Sequence, residues 1–306
     1  MVYSANSINY NWHWSRVPQY FWTHGQTDII AEHNGEVEEI KTTSDGTVIT
    51  IMPDDDTVPA VYHLKKDATV YADEGETIRK GTSIAIAPFS EPGVLLKGLW
   101  LTLVISVAAI VLGIVIGLLA GLCRISSNPA LRWWAITYIE IIRGSPLLVQ
   151  IYLWYFVFGK LIDAQLGNIG LSPLSPLAYG AIALATFTGA YVAEIVRAGI
   201  QSVPRGQVEA ARSLGLTRHQ TMRRIVLPQA FRRILPPLAG QFISLIKDSS
   251  LLGVMAVQEL TKRTREAITS SMQPFEFYFT CALLYLLLTF TLSIFVQYLE
   301  RKAVRR

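Results

Sequence analysis

The chain has 306 residues, 51% hydrophobic and only 16% charged, with mean hydropathy +0.35, a balance that points away from a soluble globular protein and toward a membrane protein. Its formal charge of +4 would admit nucleic acid as a partner, but the charge is unevenly divided. Residues 1–92 hold 6 Lys and Arg against 14 Asp and Glu, the remainder 21 against 9, so the basic excess lies in loops flanking apolar segments and nucleic acid is disfavoured.

The first 25 residues show no apolar run after a basic start, so no cleavable signal is expected and the chain enters the membrane through its own helices. Residues 1–26 read as an extracytoplasmic interfacial segment. Its aromatics Trp12, Trp14, Tyr20, Phe21 and Trp22 suit the boundary between lipid and water.

Residues 28–87 carry β-branched runs such as Thr47-Val48-Ile49-Thr50-Ile51, separated by turn signals at Asp45-Gly46, Pro53 to Asp56 and Glu74-Gly75. This predicts a small β-rich domain over 27–92, inserted between two parts of a membrane unit. Its segment Gly75-Glu76-Thr77-Ile78-Arg79-Lys80-Gly81 weakly resembles the closing turns of lipoyl- or biotinyl-type barrel-sandwich domains. Such carriers present a lysine on an exposed hairpin, and the candidate hairpin Pro53-Asp54-Asp55-Asp56 has none. A docking or structural module is expected instead. The three aspartates lack the loop of a calcium site, and His13, His24, His33 and His63 lack metal-ligand spacing, so no metal is expected.

From Gly93 onward the expected fold class is mainly α, polytopic and membrane-spanning. Five stretches near 95–122, 133–158, 178–199, 235–256 and 277–299 each have the roughly 20 apolar residues that a helix needs to cross the hydrocarbon. Cys123 and Cys281 fall at the end of the first and inside the last, as small apolar core residues. One set of loops and the tail carry 14 Lys and Arg, eight of them in 197–233, and the other set carries four. By the positive-inside rule the amino terminus is outside and the carboxyl terminus cytoplasmic.

Gly144, Ser145 and Pro146 interrupt the second stretch, a break expected beside a pathway or from packing alone. Thr188, Tyr191, Glu194 and Arg197 recur at helical spacing in the third, and Lys247-Asp248-Ser249-Ser250 sits near the middle of the fourth. Ionisable groups in a membrane are costly, so Thr188, Tyr191, Glu194, Asp248 and Ser249 are candidate pathway residues. Neutralisation of Lys247 by Asp248, or of Glu194 by Arg197, is the equally weighted alternative.

In the 197–233 loop, Pro204 opens a short helix, Gly215 supplies a left-handed turn, Thr217 with Gln220 has capping-box spacing, and Pro228 discourages continuation. The order Glu209-Ala210-Ala211, Gly215, Ile225, Leu227-Pro228 resembles the cytoplasmic loop of ATP-binding-cassette importer permeases at matching spacing. Four further stretches, Leu99 to Leu103, Ile142 to Gln150, Ala190 to Ile200 and Lys247 to Leu251, resemble the polar amino-acid permeases of the histidine and glutamine type, with Ser145 and Ser249 where threonine is usual. The resemblance covers 94–300 and implies the five-helix type I importer fold in a permease domain over 93–306.

It also implies partners: ATP-binding-cassette ATPase subunits docked on the loop, an extracytoplasmic amino-acid-binding protein, and a second permease subunit, as homodimer or heterodimer. No G-x-x-x-x-G-K-[ST] phosphate loop occurs, since Gly159-Lys160 is followed by Leu161; ATP and Mg are therefore expected on the partner and no cofactor on this chain. An ion-coupled secondary transporter using Glu194 or Asp248 is the alternative. The amino-terminal β-domain is the large departure from the family pattern.

Overall fold

The computed structural model describes residues 10–44, 46–54 and 58–304. Asp45, Asp55 and Asp56 of the expected turns, and Arg305 and Arg306 of the basic tail, lie outside them. One compact unit, Ser15–Val94, interrupts another that comprises the chain before it and Leu95–Arg306.

The inserted unit has strands β1 (Trp22–Ile30), β2 (Gly35–Thr43), β3 (Gly46–Pro53), β4 (Ala60–Lys65), β5 (Thr69–Val70), β6 (Thr77–Ile78) and β7 (Ser83–Pro92). They pair antiparallel into two sheets, ordered β1-β7-β5 and β4-β3-β2-β6. On β3 the residues Ile49 and Ile51 alternate inward, as a period-two strand requires, and join Val37, Leu64, Ile78 and Ile84 in a buried core. Each such side chain contributes up to about 2 kcal/mol through burial. The chain enters and leaves this unit at one place: the Gly93 N–H donates to the Phe21 carbonyl at 2.7 Å, and a Cβ on Gly93 would lie 2.2 Å from the Tyr20 oxygen.

The other unit contains α1 (Val94–Arg124), α2 (Pro129–Gly144), α3 (Leu147–Tyr152), α4 (Gly159–Asn168), α5 (Pro176–Gln201), α6 (Arg205–Ser213), α7 (Arg218–Thr221), α8 (Leu227–Asp248), α9 (Leu260–Ser271) and α10 (Pro274–Val304). A π-helical stretch Leu153–Phe158 joins α3 to α4, and another, Met222–Val226, joins α7 to α8. The starts are legible chemically: Asn128 and Ser175 accept from backbone N–H groups ahead of Pro129 and Pro176, and Glu259 accepts from Thr261 and Lys262 to cap α9. Burial pushes the Glu259 carboxyl above the usual carboxylate range, against the opposing pull of those N–H groups and the Tyr285 hydroxyl.

Among the described residues, four helices are long and apolar enough to cross a membrane: Val94–Arg124, Leu147–Asn168, Pro176–Gln201 and Pro274–Tyr298. Two expected spans are thereby redrawn. The second lies over 147–168 rather than 133–158, because the chain is extended at Ser145 and Pro146 and α2 before it is a separate amphipathic helix. The fourth, expected over 235–256, falls on α8, which carries Pro236 and Pro237 inside and Lys247 and Asp248 at its end.

One close helix contact joins α1 to α5. Gly113, Gly117 and Gly121, four residues apart, lie where a Cβ would meet Thr188, Val192 and Ala193 respectively, the second at 2.5 Å. Small residues at this spacing let two helix backbones approach closely, which drives association where lipid removes the hydrophobic effect. Residues 10–14 belong to the same unit: the Tyr10 hydroxyl and the His13 N–H both donate to the buried Glu276 of α10, and Trp14 meets Phe279 edge to face.

Candidate functional site

The loop between α5 and α8 forms as its residues dictate. At the end of α6 the Leu216 N–H donates to the Ala211 carbonyl at 3.2 Å and the Gly215 N–H to Arg212 at 3.0 Å, with Gly215 at φ +83°. This is the paired-bond helix stop that favours glycine in the left-handed position. Thr217 then caps α7: its hydroxyl accepts from the Gln220 N–H at 3.3 Å while the Gln220 side chain accepts from the Thr217 N–H at 2.9 Å. Pro228 does not end the second helix as expected. The wider π turn Met222–Val226 precedes it, Pro228 sits in the first turn of α8 where a missing N–H is tolerated, and the helix continues to Asp248.

The faces of this corner differ. Ala211, Val226 and Ala230 are buried, the last two in a cluster with Val192, Val196, Ile200 and Val203 of the α5 end, and Ile225 is half-buried. Glu209, Ala210, Gly215, Leu227 and Pro228 are exposed. So is Leu214, 83% exposed beside the corner; the sequence alone did not single it out, although a leucine next to a helix-stopping glycine in a basic loop was its signal.

The intramembrane candidates do not form one cluster. Thr188 is fully buried against α1, whereas Tyr191 and Glu194 face α2 and the end of α1. Glu194 pairs with Arg124 and Arg197, the latter through Nε and Nη2 at 3.1 and 2.8 Å. The Arg143 guanidinium lies 4.0 Å from the same carboxylate and 5.4 Å from the centre of the Tyr191 ring, within cation–π range. The Glu194–Arg197 neutralisation weighed above is thus present, but enlarged by Arg124 and Arg143, which sequence spacing could not bring together.

Lys247, Asp248 and Ser249 lie at the end of α8 rather than mid-helix, where the chain tightens into a 3-10 segment, Ser249–Met255, ended by Ala256 in the left-handed region. Lys247 and Asp248 make no ion pair among the described residues, since adjacent helical side chains point apart. Ser249 is buried and its hydroxyl donates to the Ile246 carbonyl at 2.7 Å. Lys247 and Ser250, with Thr261, Tyr278 and Tyr285, line a cleft of about 310 Å³ against α10.

At the helix break, Ser145 and Pro146 are extended and the buried Gln150 reaches back. Its Nε2 donates to the Ile142 carbonyl at 2.7 Å, the Ser145 carbonyl at 3.2 Å and the Ser145 hydroxyl at 2.9 Å. The two carbonyls are groups that the interrupted ladder leaves open, and in a membrane each needs a partner. Gln150 is the residue that a reading of Gly144, Ser145 and Pro146 alone misses.

The model of the family described as binding-protein-dependent transport system inner membrane component matches residues 113–305. The probable glutamine ABC transporter permease protein GlnM of Bacillus subtilis (strain 168) is 42% identical over 68% of this chain and 92% of its own length. The glutamine transport system permease protein GlnP of Escherichia coli (strain K12) is 38% identical over 68% and 92%, and the L-cystine transport system permease protein TcyB of Bacillus subtilis 37% over 69% and 87%. Among solved structures, an amino acid ABC transporter crystallised with histidines has TM-score 0.61 at 38% identity, covering 68% of this chain and 94% of that one. The inward-facing MetNI methionine transporter, TM-score 0.58 at 22% identity, shares the fold. These matches use up most of each relative but only about two thirds of this chain, so the relatives have no room for a counterpart of the rest. The chain belongs to the family of binding-protein-dependent transport system inner membrane components.

Proposed function

We propose that this chain is the permease subunit of an ATP-driven importer of polar amino acids in a bacterial inner membrane, with its amino terminus outside and its carboxyl terminus in the cytoplasm. The observation that carries this is the α6–α7 corner: a rigid, doubly hydrogen-bonded turn that leaves Glu209, Ala210, Leu214 and Gly215 exposed while Val226 and Ala230 join it to the α5 core. Such a corner is a lever. A separate ATPase holding ATP and Mg takes up the exposed face, and burial of Leu214 would contribute about 2 kcal/mol to docking.

ATPase closure then moves α5 and α8 together, because Gly199 lets Ile234 approach closely, and opens a pathway alternately to each side. The pathway runs past the Tyr191–Glu194–Arg143 group and the Asp248–Ser249 end of α8, with a second permease copy or homologue completing it. A substrate-loaded binding protein docks outside, and the β unit, acidic and with no counterpart in the relatives, serves as a docking or assembly module there.

The test is uptake in vesicles holding the permease, its co-purified ATPase and the binding protein, with unlabelled amino acids as competitors. ATP-dependent uptake competed by glutamine-like or basic amino acids is expected. Uptake that follows an ion gradient, with no ATPase in the purified complex, would replace this reading by ion-coupled transport.

A further inference from the structure

The α1–α2 turn, one face of α2 and the end of α5 enclose a cleft of about 410 Å³ lined by Arg124, Ser126, Arg132, Arg197 and Gln201, with Ile125 and Ile136 as its apolar wall. No carboxylate lines it. Behind it Glu194 is shared by Arg124 and Arg197, with Arg143 at 4.0 Å, and Glu140 lies 3.8 Å from Arg124. Three guanidinium groups thus share two carboxylates, and Arg132 adds a fourth positive charge. The Arg132 guanidinium makes no ion pair or hydrogen bond among the described residues, so the excess positive charge is presented to the cleft.

Exposed apolar side chains flank these residues along the chain. Leu118 and Leu122 are exposed on α1, four residues apart and so on one flank of the helix, whose last turn leads into Arg124 and Ile125 of the cleft. On the same turn of α2 as Arg132, Leu131 and Trp133 turn to other faces of the helix and are 46% and 67% exposed. A cationic recess beside an apolar flank and a tryptophan fits an amphiphile better than a soluble ion, since tryptophan favours the headgroup level and basic pockets between helices take phosphate headgroups.

The geometry points to a binding site for the phosphate of an anionic phospholipid, held by Arg132 with Arg124, Arg197 and Ser126, its acyl chains along Leu118 and Leu122. This rests on the orientation proposed above, which puts the cleft at the cytoplasmic leaflet. The site lies at the end of α5 that continues into the α6–α7 corner, so an occupying lipid would brace the segment through which closure is transmitted.

The test uses the full chain alone, in nanodiscs of phosphatidylcholine with or without phosphatidylglycerol, and reads retained lipid by native mass spectrometry. Its result is therefore independent of whether the transport assignment holds. Wild type is expected to retain phosphatidylglycerol selectively, and Arg132→Gln to retain about fivefold less, the weight of one basic residue at a lipid surface. Arg132→Lys should be intermediate, because it keeps the charge but loses the two-pronged guanidinium. Unchanged thermal midpoints would show that both variants fold, and Arg132→Lys serves if Arg132→Gln does not. Displacement of the lipid by millimolar inorganic phosphate would assign the cleft to soluble phosphate and overturn the lipid reading. Equal retention by wild type and both variants would overturn the site itself.

Discussion

Glu194 is the point where three elements meet, since its carboxylate holds Arg124 of α1 and Arg197 of its own helix and lies within reach of Arg143 of α2. Its side chain is 17% exposed, between the surface pairs that contribute little and the buried pairs whose rupture is costly. Glu194→Gln keeps the shape and removes the charge, leaving guanidinium groups facing one another. We expect a loss of about 2 kcal/mol, read as a lower thermal midpoint, with uptake reduced; an unchanged midpoint would mean that solvent already screens the cluster. Gly215 poses a different problem, because its φ of +83° is a region that a β-branched side chain enters at a cost on the order of 2 kcal/mol. Gly215→Val should leave helical content intact and separate ATP hydrolysis from uptake. Tightly coupled transport in that variant would count against the corner as lever.

At the scale of elements, the helix break and the α6–α7 corner were legible in the residues because both depend on local chemistry: Gly144-Ser145-Pro146 in one, Gly215 and the Thr217–Gln220 pair in the other. What the break divides was not legible. Apolarity is nearly continuous from 133 to 158, and only the extended Ser145 and Pro146 with the reach of Gln150 show that α2 ends and the crossing segment begins at Leu147. Gln150→Leu removes the donor to the half-buried Ile142 and Ser145 carbonyls and leaves the Ile142 oxygen only the 3.5 Å contact of the Ser145 hydroxyl. A destabilisation of about 1–3 kcal/mol is expected, checked by thermal unfolding in nanodiscs, with Gln150→Asn as a shorter donor that fails to reach. The α1–α5 contact was readable in principle from Gly113, Gly117 and Gly121, but a glycine repeat names no partner until the opposing Thr188, Val192 and Ala193 are in place.

For the whole molecule, the β unit is an insertion with adjoining ends, since Phe21 and Gly93 are hydrogen-bonded at its base and the two sheets enclose their own core. Removing residues 22–92 and joining Phe21 to Gly93 should leave a chain that inserts, keeps its helical signal and elutes as a single species. If the module docks a partner outside, the affinity of uptake for the loaded binding protein weakens in that variant; unchanged affinity, assembly and stability would remove the docking role. Membrane class, the β-rich insertion and the corner at Gly215 could be read from the residues, because composition, period and turn chemistry act over a few residues. It took the folded arrangement to show that Thr188 packs against α1 while Tyr191 and Glu194 meet Arg143, that Gln150 closes the helix break, and that Arg132 has no ion pair among the described residues and lines an open cleft. Those outcomes depend on which side chains, distant along the chain, share one volume, and spacing along a single helix carries no information about that.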